Sequence, residues 1–192
     1  MEELMQLDEE LFIFLNNLGT TTWDGFWLFI TDKLASIPLY AVLLYLLYKS
    51  YGLKPTLVIL VLVAGMITCT DQLANVFKHG FQRPRPCQED FIEQARYIAV
   101  RCGRYGYFSA HAASSTALAI FIGLLLKRFY KYIFGFMLIW ALVVSYSRIY
   151  VGVHYPGDVL TGIVIGTLIG VIFYQLFKFI NYKYFNTQNP TV

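Results

Sequence analysis

His154 and Asp158 stand four residues apart around Tyr155-Pro156-Gly157, with Ser147-Arg148 just upstream. Ser109 and His111 open another apolar stretch, and Lys78, Arg83 and Arg85 follow the end of a third. Pro156 suits the first turn of a helix, which puts Asp158 near a helix start. A carboxylate there can accept a hydrogen bond from one imidazole nitrogen and leave the other as a lone pair. A neutral histidine held that way is a nucleophile. His111 is placed to donate a proton, and backbone N–H groups at its helix start suit phosphate oxygens. Cations with two histidines and no acidic cluster suit a phosphate-like anion; a divalent metal would want more neutral or anionic ligands. No metal and no cofactor is expected.

These residues need elements to bring them together. Of the 192 residues, 57% are hydrophobic and 14% charged, where ordinary soluble domains carry roughly 25% charged residues. So much apolar surface cannot be hidden in a soluble chain of this length, which leaves an all-α polytopic membrane protein. Disorder, collagen and coiled coil are excluded by the same composition. A net charge of +3 with no dense basic run gives no reason to expect nucleic acid.

Five charge-poor stretches read as spans: Leu34–Tyr48, Pro55–Phe77, Phe108–Leu126, Tyr132–Ser147 and Val159–Phe177. The first is short for a crossing of about 20 residues, so Phe26–Ile30 or local thinning must help it. The start is acidic, without the basic n-region of a signal peptide. Leu4, Leu7, Leu11, Phe14, Leu15 and Leu18 recur at helical spacing, so residues 1–19 read as an amphipathic helix on the membrane surface or against the bundle. Residues 79–107 form the long polar loop, and residues 1–192 read as one domain with its core at 55–180. Gly162, Gly166 and Gly170 are read as a close-packing stripe. Five spans fix a parity: the ends of spans two and four and the starts of three and five share one side. That side collects Lys78, Arg83, Arg85, Ser109, His111, Ser147, Arg148, His154 and Asp158.

The chain resembles the type 2 phosphatidic acid phosphatase family, membrane lipid-phosphate phosphatases related in fold to vanadium haloperoxidases. The family's first motif, Lys, six residues, Arg-Pro, is matched from Lys78 to Arg85-Pro86. The third, Ser-Arg, five residues, His, three residues, Asp, is matched in full from Ser147 to Asp158. The middle motif, Pro-Ser-Gly-His, reads Phe108-Ser109-Ala110-His111, losing its proline and glycine. Alanine keeps the N–H but disfavours positive φ, which puts the loop geometry in question. The resemblance implies that His154 forms a phosphohistidine, that Asp158 orients it, and that His111 is the acid and then the base. It implies a phosphate cradle of Lys78, Arg85 and Arg148, assisted by Ser109 and the Ala110 N–H.

The expectation is a metal-independent integral-membrane lipid phosphatase, with undecaprenyl pyrophosphate or a lipid A phosphate as first-ranked substrates. A lipid phosphotransferase and a non-catalytic scaffold are the alternatives. The partners expected are the lipid substrate and the bilayer, with no obligatory protein partner. Seven cations, Lys49, Lys54, Lys127, Arg128, Lys131, Lys178 and Lys183, crowd the opposite side with no acid among them. The positive-inside rule makes that side cytoplasmic, so the active side of an inner-membrane protein faces the periplasm or exterior. Cys87 and Cys102 bracket the polar loop there, where a disulfide or two free thiols are both open. Arg83 is left as a solvated charge or a headgroup contact. Asp71, an acid inside a span, is read as structural, pairing with Lys78 or a buried hydroxyl.

Overall fold

The computed structural model describes residues 2–185; residue 1 and residues 186–192, the ends of the expected domain, lie outside the described residues. Among the described residues seven α-helices follow one another: α1 (Glu2–Asn17), α2 (Asp24–Thr31), α3 (Ile37–Tyr51), α4 (Leu53–Phe81), α5 (Ala110–Leu126), α6 (Ile133–Tyr150) and α7 (Pro156–Phe185). Among the described residues, four helical segments are long and apolar enough to cross a membrane. The short first one reaches that length because a 3-10 turn at Lys33–Ser36 runs into α3, giving a 19-residue segment. Helices α4 and α7 run to 29 and 30 residues, beyond the apolar limits read from sequence, because their polar ends remain helical.

Helix α5 has 17 residues, yet it forms the axis of the bundle. Twelve of those residues are buried, as expected of a helix apolar on every side. The glycine stripe of α7 lies against it. A Cβ at Gly162 would sit 2.6 Å from the Ser109 carbonyl oxygen, and one at Gly170 would sit 2.7 Å from that of Ala117. Small residues thus let the two backbones touch, which is how helices associate in lipid. Leu43, Ile59, Met66, Phe121, Met137 and Phe177 fill the core between these helices and their neighbours.

The facing of helix α1, left open by the sequence, is settled by its packing. Leu4, Leu7, Leu11, Phe14 and Leu18 point outward, while Phe12 and Asn16 are fully buried. The apolar stripe faces away from the bundle, and the helix docks through the row Asp8, Phe12 and Asn16. Phe12 packs edge-on against Tyr155 at 5.8 Å. The Asn16 amide donates to the carbonyls of Ile149 and Tyr150, each at 2.9 Å, satisfying the open end of α6.

The loop between α4 and α5 folds over this end of the bundle. Cys87 and Cys102 form a disulfide within it, with Cα atoms 6.2 Å apart. Arg96 ties the loop to α2 through two 2.7 Å bonds to the Asp24 carboxylate.

Candidate active site

One end of the bundle encloses a cavity of about 480 Å³ lined by Lys78, Arg85, Ala110, His111, Arg148 and His154. Three helices and two connecting segments deliver these residues to one place. The cations come from the end of α4, the loop beyond it and the end of α6. His111 sits in the first turn of α5, and His154 in the connection before α7.

His154 is 2% exposed and Asp158 fully buried. His154 Nδ1 lies 3.1 Å from Asp158 Oδ2. With Nδ1–H donating to the carboxylate, Nε2 keeps its lone pair, on a residue that lines the cavity. Burial first, then the Arg85, Arg148 and Lys78 charges, hold the imidazole well below its ordinary pKa. It is therefore the neutral, nucleophilic form at neutral pH.

Asp158 is itself held. Its Oδ2 accepts the Tyr155 N–H at 3.2 Å, and its Oδ1 accepts Arg83 Nη1 at 3.2 Å. Arg83 reaches across to Asp8 Oδ2 at 2.8 Å and lies 3.8 Å over the Tyr155 ring. Asp8 Oδ1 in turn accepts the Gly157 N–H at 2.7 Å, in the first turn of α7. Arg83 is thus neither a solvated charge nor a cavity-lining residue. It links the docked N-terminal helix to the carboxylate behind His154, and Asp8 joins it in that task. Sequence spacing gave no signal for the pair, because their partners lie far away in the chain.

The remaining expected residues divide. Arg85 is oriented by its Nε bond to the Tyr105 carbonyl at 3.0 Å. Arg148 donates Nη1 to Thr31 Oγ1, while its buried Nε has no hydrogen-bond partner among the described residues. A buried donor of that kind, beside two further cations and two histidines, is suited to an anion. Thr31 was invisible in the sequence; no motif surrounds it. Ser109 does not line the cavity. Its Oγ caps α5 by accepting the Ala112 N–H at 3.4 Å, and the Ser109 N–H donates to the Asp158 carbonyl at 3.0 Å. Ala110 begins the helix without positive φ; among the described residues Gln82 is the one non-glycine with it. The alanine in the middle motif therefore introduces no backbone strain. Gly106 packs tightly beside the dyad: a Cβ there would lie 3.0 Å from Asp158 Oδ2 and 3.2 Å from Arg85 Cγ.

Asp71 also lines the cavity, without an ion pair to Lys78 within 4 Å or a hydrogen bond to any hydroxyl among the described residues. The nearby hydroxyls of Thr70 and Ser114 instead bond to each other at 2.8 Å. The structural pairing expected for Asp71 is absent. No group of three or more His, Cys, Asp or Glu side chains among the described residues is arranged to hold a metal ion.

A helical membrane bundle with a neutral, carboxylate-backed histidine in a cation-lined cavity defines a phosphoryl-transfer protein. Residues 54–182 match the PAP2 superfamily model, and the chain belongs to that superfamily. It is 38% identical over 178 residues to a lipid A 4'-phosphatase of Bacteroides thetaiotaomicron, covering 91% of this chain and 78% of that one. It is 30% identical over 178 residues to an undecaprenyl-diphosphatase of Sulfolobus acidocaldarius, covering 91% and 81%. Its fold matches the crystal structure of a transmembrane PAP2-type phosphatidylglycerolphosphate phosphatase from Bacillus subtilis. That match has a TM-score of 0.72 at 20% identity, over 96% of this chain and 89% of the other. The chain is a multi-pass membrane phosphatase of lipid phosphates.

Proposed function

We propose that the chain removes a phosphate from a lipid A-type glycolipid phosphate, through a phosphohistidine on His154. The observation that carries the mechanism is the 3.1 Å His154–Asp158 contact behind a cation-lined cavity. The substrate rests on the 38% identity with a lipid A 4'-phosphatase. Undecaprenyl diphosphate is the second substrate, favoured by the relative of that activity.

Lys78, Arg85 and Arg148 neutralise the phosphoryl oxygens, with the Ala110 N–H assisting, so that little beyond positioning and charge stabilisation is needed. His154 Nε2 attacks phosphorus; an N–P bond forms as the P–O bond to the lipid breaks. The bound phosphate dianion favours protonated His111, which gives its proton to the leaving oxygen. Water then attacks the phosphohistidine, neutral His111 takes its proton, and the N–P bond breaks to release inorganic phosphate. The donor set supplies this charge without a metal.

We further propose that the chain sits in the inner membrane with its active end facing the periplasm or cell exterior. Two features support that orientation: the seven acid-free cations at the opposite end and the Cys87–Cys102 disulfide, which belongs in an oxidising compartment.

The test is phosphate release in EDTA from purified lipid A, undecaprenyl diphosphate, phosphatidate and phosphatidylglycerol phosphate. Highest kcat/KM on lipid A supports the substrate assignment, and a clear preference for another lipid overturns it. Loss of all turnover in EDTA, restored by a divalent metal, overturns the metal-free chemistry.

A further inference from the structure

The cavity is far larger than one phosphate requires, and its wall below the cradle is polar. Asp71, Asn75 and Lys78 lie at i, i+4 and i+7 on α4, so they share one helix face, and all three line the cavity. Asp71 is seven residues below Lys78, roughly 10 Å deeper at the rise of an α-helix. Neither the Asp71 carboxylate nor the Asn75 amide has a hydrogen bond or ion pair among the described residues. An acid inside an apolar span is costly and marks a functional site unless it is paired. Lys33, Thr31, Ser36 and Ser114 border the same space. Beyond them the wall turns apolar at Ile67, Leu118 and Trp140.

We propose that Asp71, with Asn75, forms a second subsite that recognises a hydroxyl- or amide-bearing head group attached to the phosphate, such as a sugar ring. A carboxylate at this distance accepts hydrogen bonds from O–H or N–H groups while the phosphate occupies the cradle. Its field repels a second phosphate, so it disfavours a diphosphate head. A polyprenyl chain offers it no donor. The subsite therefore selects hydroxylated heads over polyprenyl diphosphates, because a site built for hydrogen bonds discriminates strongly against a ligand that lacks them. This inference deepens, and rests on, the glycolipid-phosphatase reading.

The experiment compares wild type with Asp71→Asn and Asp71→Leu on a glucosamine-based lipid phosphate, phosphatidate and undecaprenyl diphosphate, with a thermal melt of each variant. The expected result is a tenfold to hundredfold loss of kcat/KM, mostly in KM, on the glycolipid alone. Turnover of undecaprenyl diphosphate should hold or rise, and melting should hold or rise. Equal losses on all three lipids would show a general charge effect and overturn the proposal, as would unchanged kcat/KM on the glycolipid. A lower melting temperature with proportionate loss on every lipid would make Asp71 structural and equally overturn it. If wild type fails to hydrolyse the glycolipid at all, the underlying substrate reading falls instead.

Discussion

Replacing Arg83 with Met tests whether the N-terminal helix supports the dyad. Methionine keeps most of the apolar stem but removes the charge and the guanidinium that lies over the Tyr155 ring. Asp158 is fully buried, and Arg83 is the partner its Oδ1 has at 3.2 Å; Oδ2 keeps His154 and the Tyr155 N–H. Breaking a buried pair from one side costs about 3–5 kcal/mol. Arg83 is 20% exposed, so water can reach the gap, and screening discounts the cost to about 2–3 kcal/mol. That corresponds to a fall in Tm of about 5–10 °C for a chain of this size. Because Arg83 does not line the cavity, the catalytic defect falls on kcat, by about 10–100-fold, with KM nearly unchanged. Asp8→Asn, which leaves the Arg83–Asp158 contact in place, costs about 1 kcal/mol. The assays are thermal unfolding in detergent and steady-state phosphate release. Wild-type kcat and Tm in Arg83→Met would refute the reasoning. A raised KM at constant kcat would do so too, by placing Arg83 in the substrate site.

Two further outcomes follow from the same geometry. Joint replacement of Cys87 and Cys102 by Ser removes the closure of a loop with sequence separation 15, a loss of about 3 kcal/mol in the chain-entropy model. Reductant should lower the wild-type melting temperature to match, and an indifferent wild type would contradict the bond's contribution. His154 governs the acid side of the stability curve. Its folded pKa is held below the free value, so the unfolded chain takes up a proton near pH 6.5 that the folded chain refuses. This group has no effect above that pH, and stability is lost as the pH falls below it. His154→Gln should flatten the slope between about pH 7 and 5, measured by thermal melts across that range; an unchanged slope counts against a buried neutral imidazole.

The site was legible where its chemistry is encoded at fixed local spacing. Lys78 to Arg85 and Ser147 to Asp158 each bring reacting groups together within one short segment, and parity placed both on the same side. Arg83 was misread because its partners, Asp8 and Asp158, lie at opposite ends of the chain. Ser109 was read for its hydroxyl's chemistry, but that hydroxyl caps the helix instead. The periodicity of α1 identified the helix and left its facing open, because lipid is an apolar solvent and an apolar stripe need not mark the core. The row Asp8, Phe12 and Asn16, at i, i+4 and i+8, was the signal for the docked face. Thr31 and the unpartnered state of Asp71 are consequences of packing that spacing cannot express.

The proposed mechanism requires His154 to carry the phosphoryl group. Wild type and His154→Ala should be mixed with a lipid phosphate labelled on phosphorus and quenched within one turnover. Acid-labile, base-stable phosphate should then be bound to wild-type protein, discharged as inorganic phosphate on longer incubation, and none should be found on His154→Ala. Undiminished turnover by His154→Ala, or the same protein-bound label on it, would rule out the phosphohistidine.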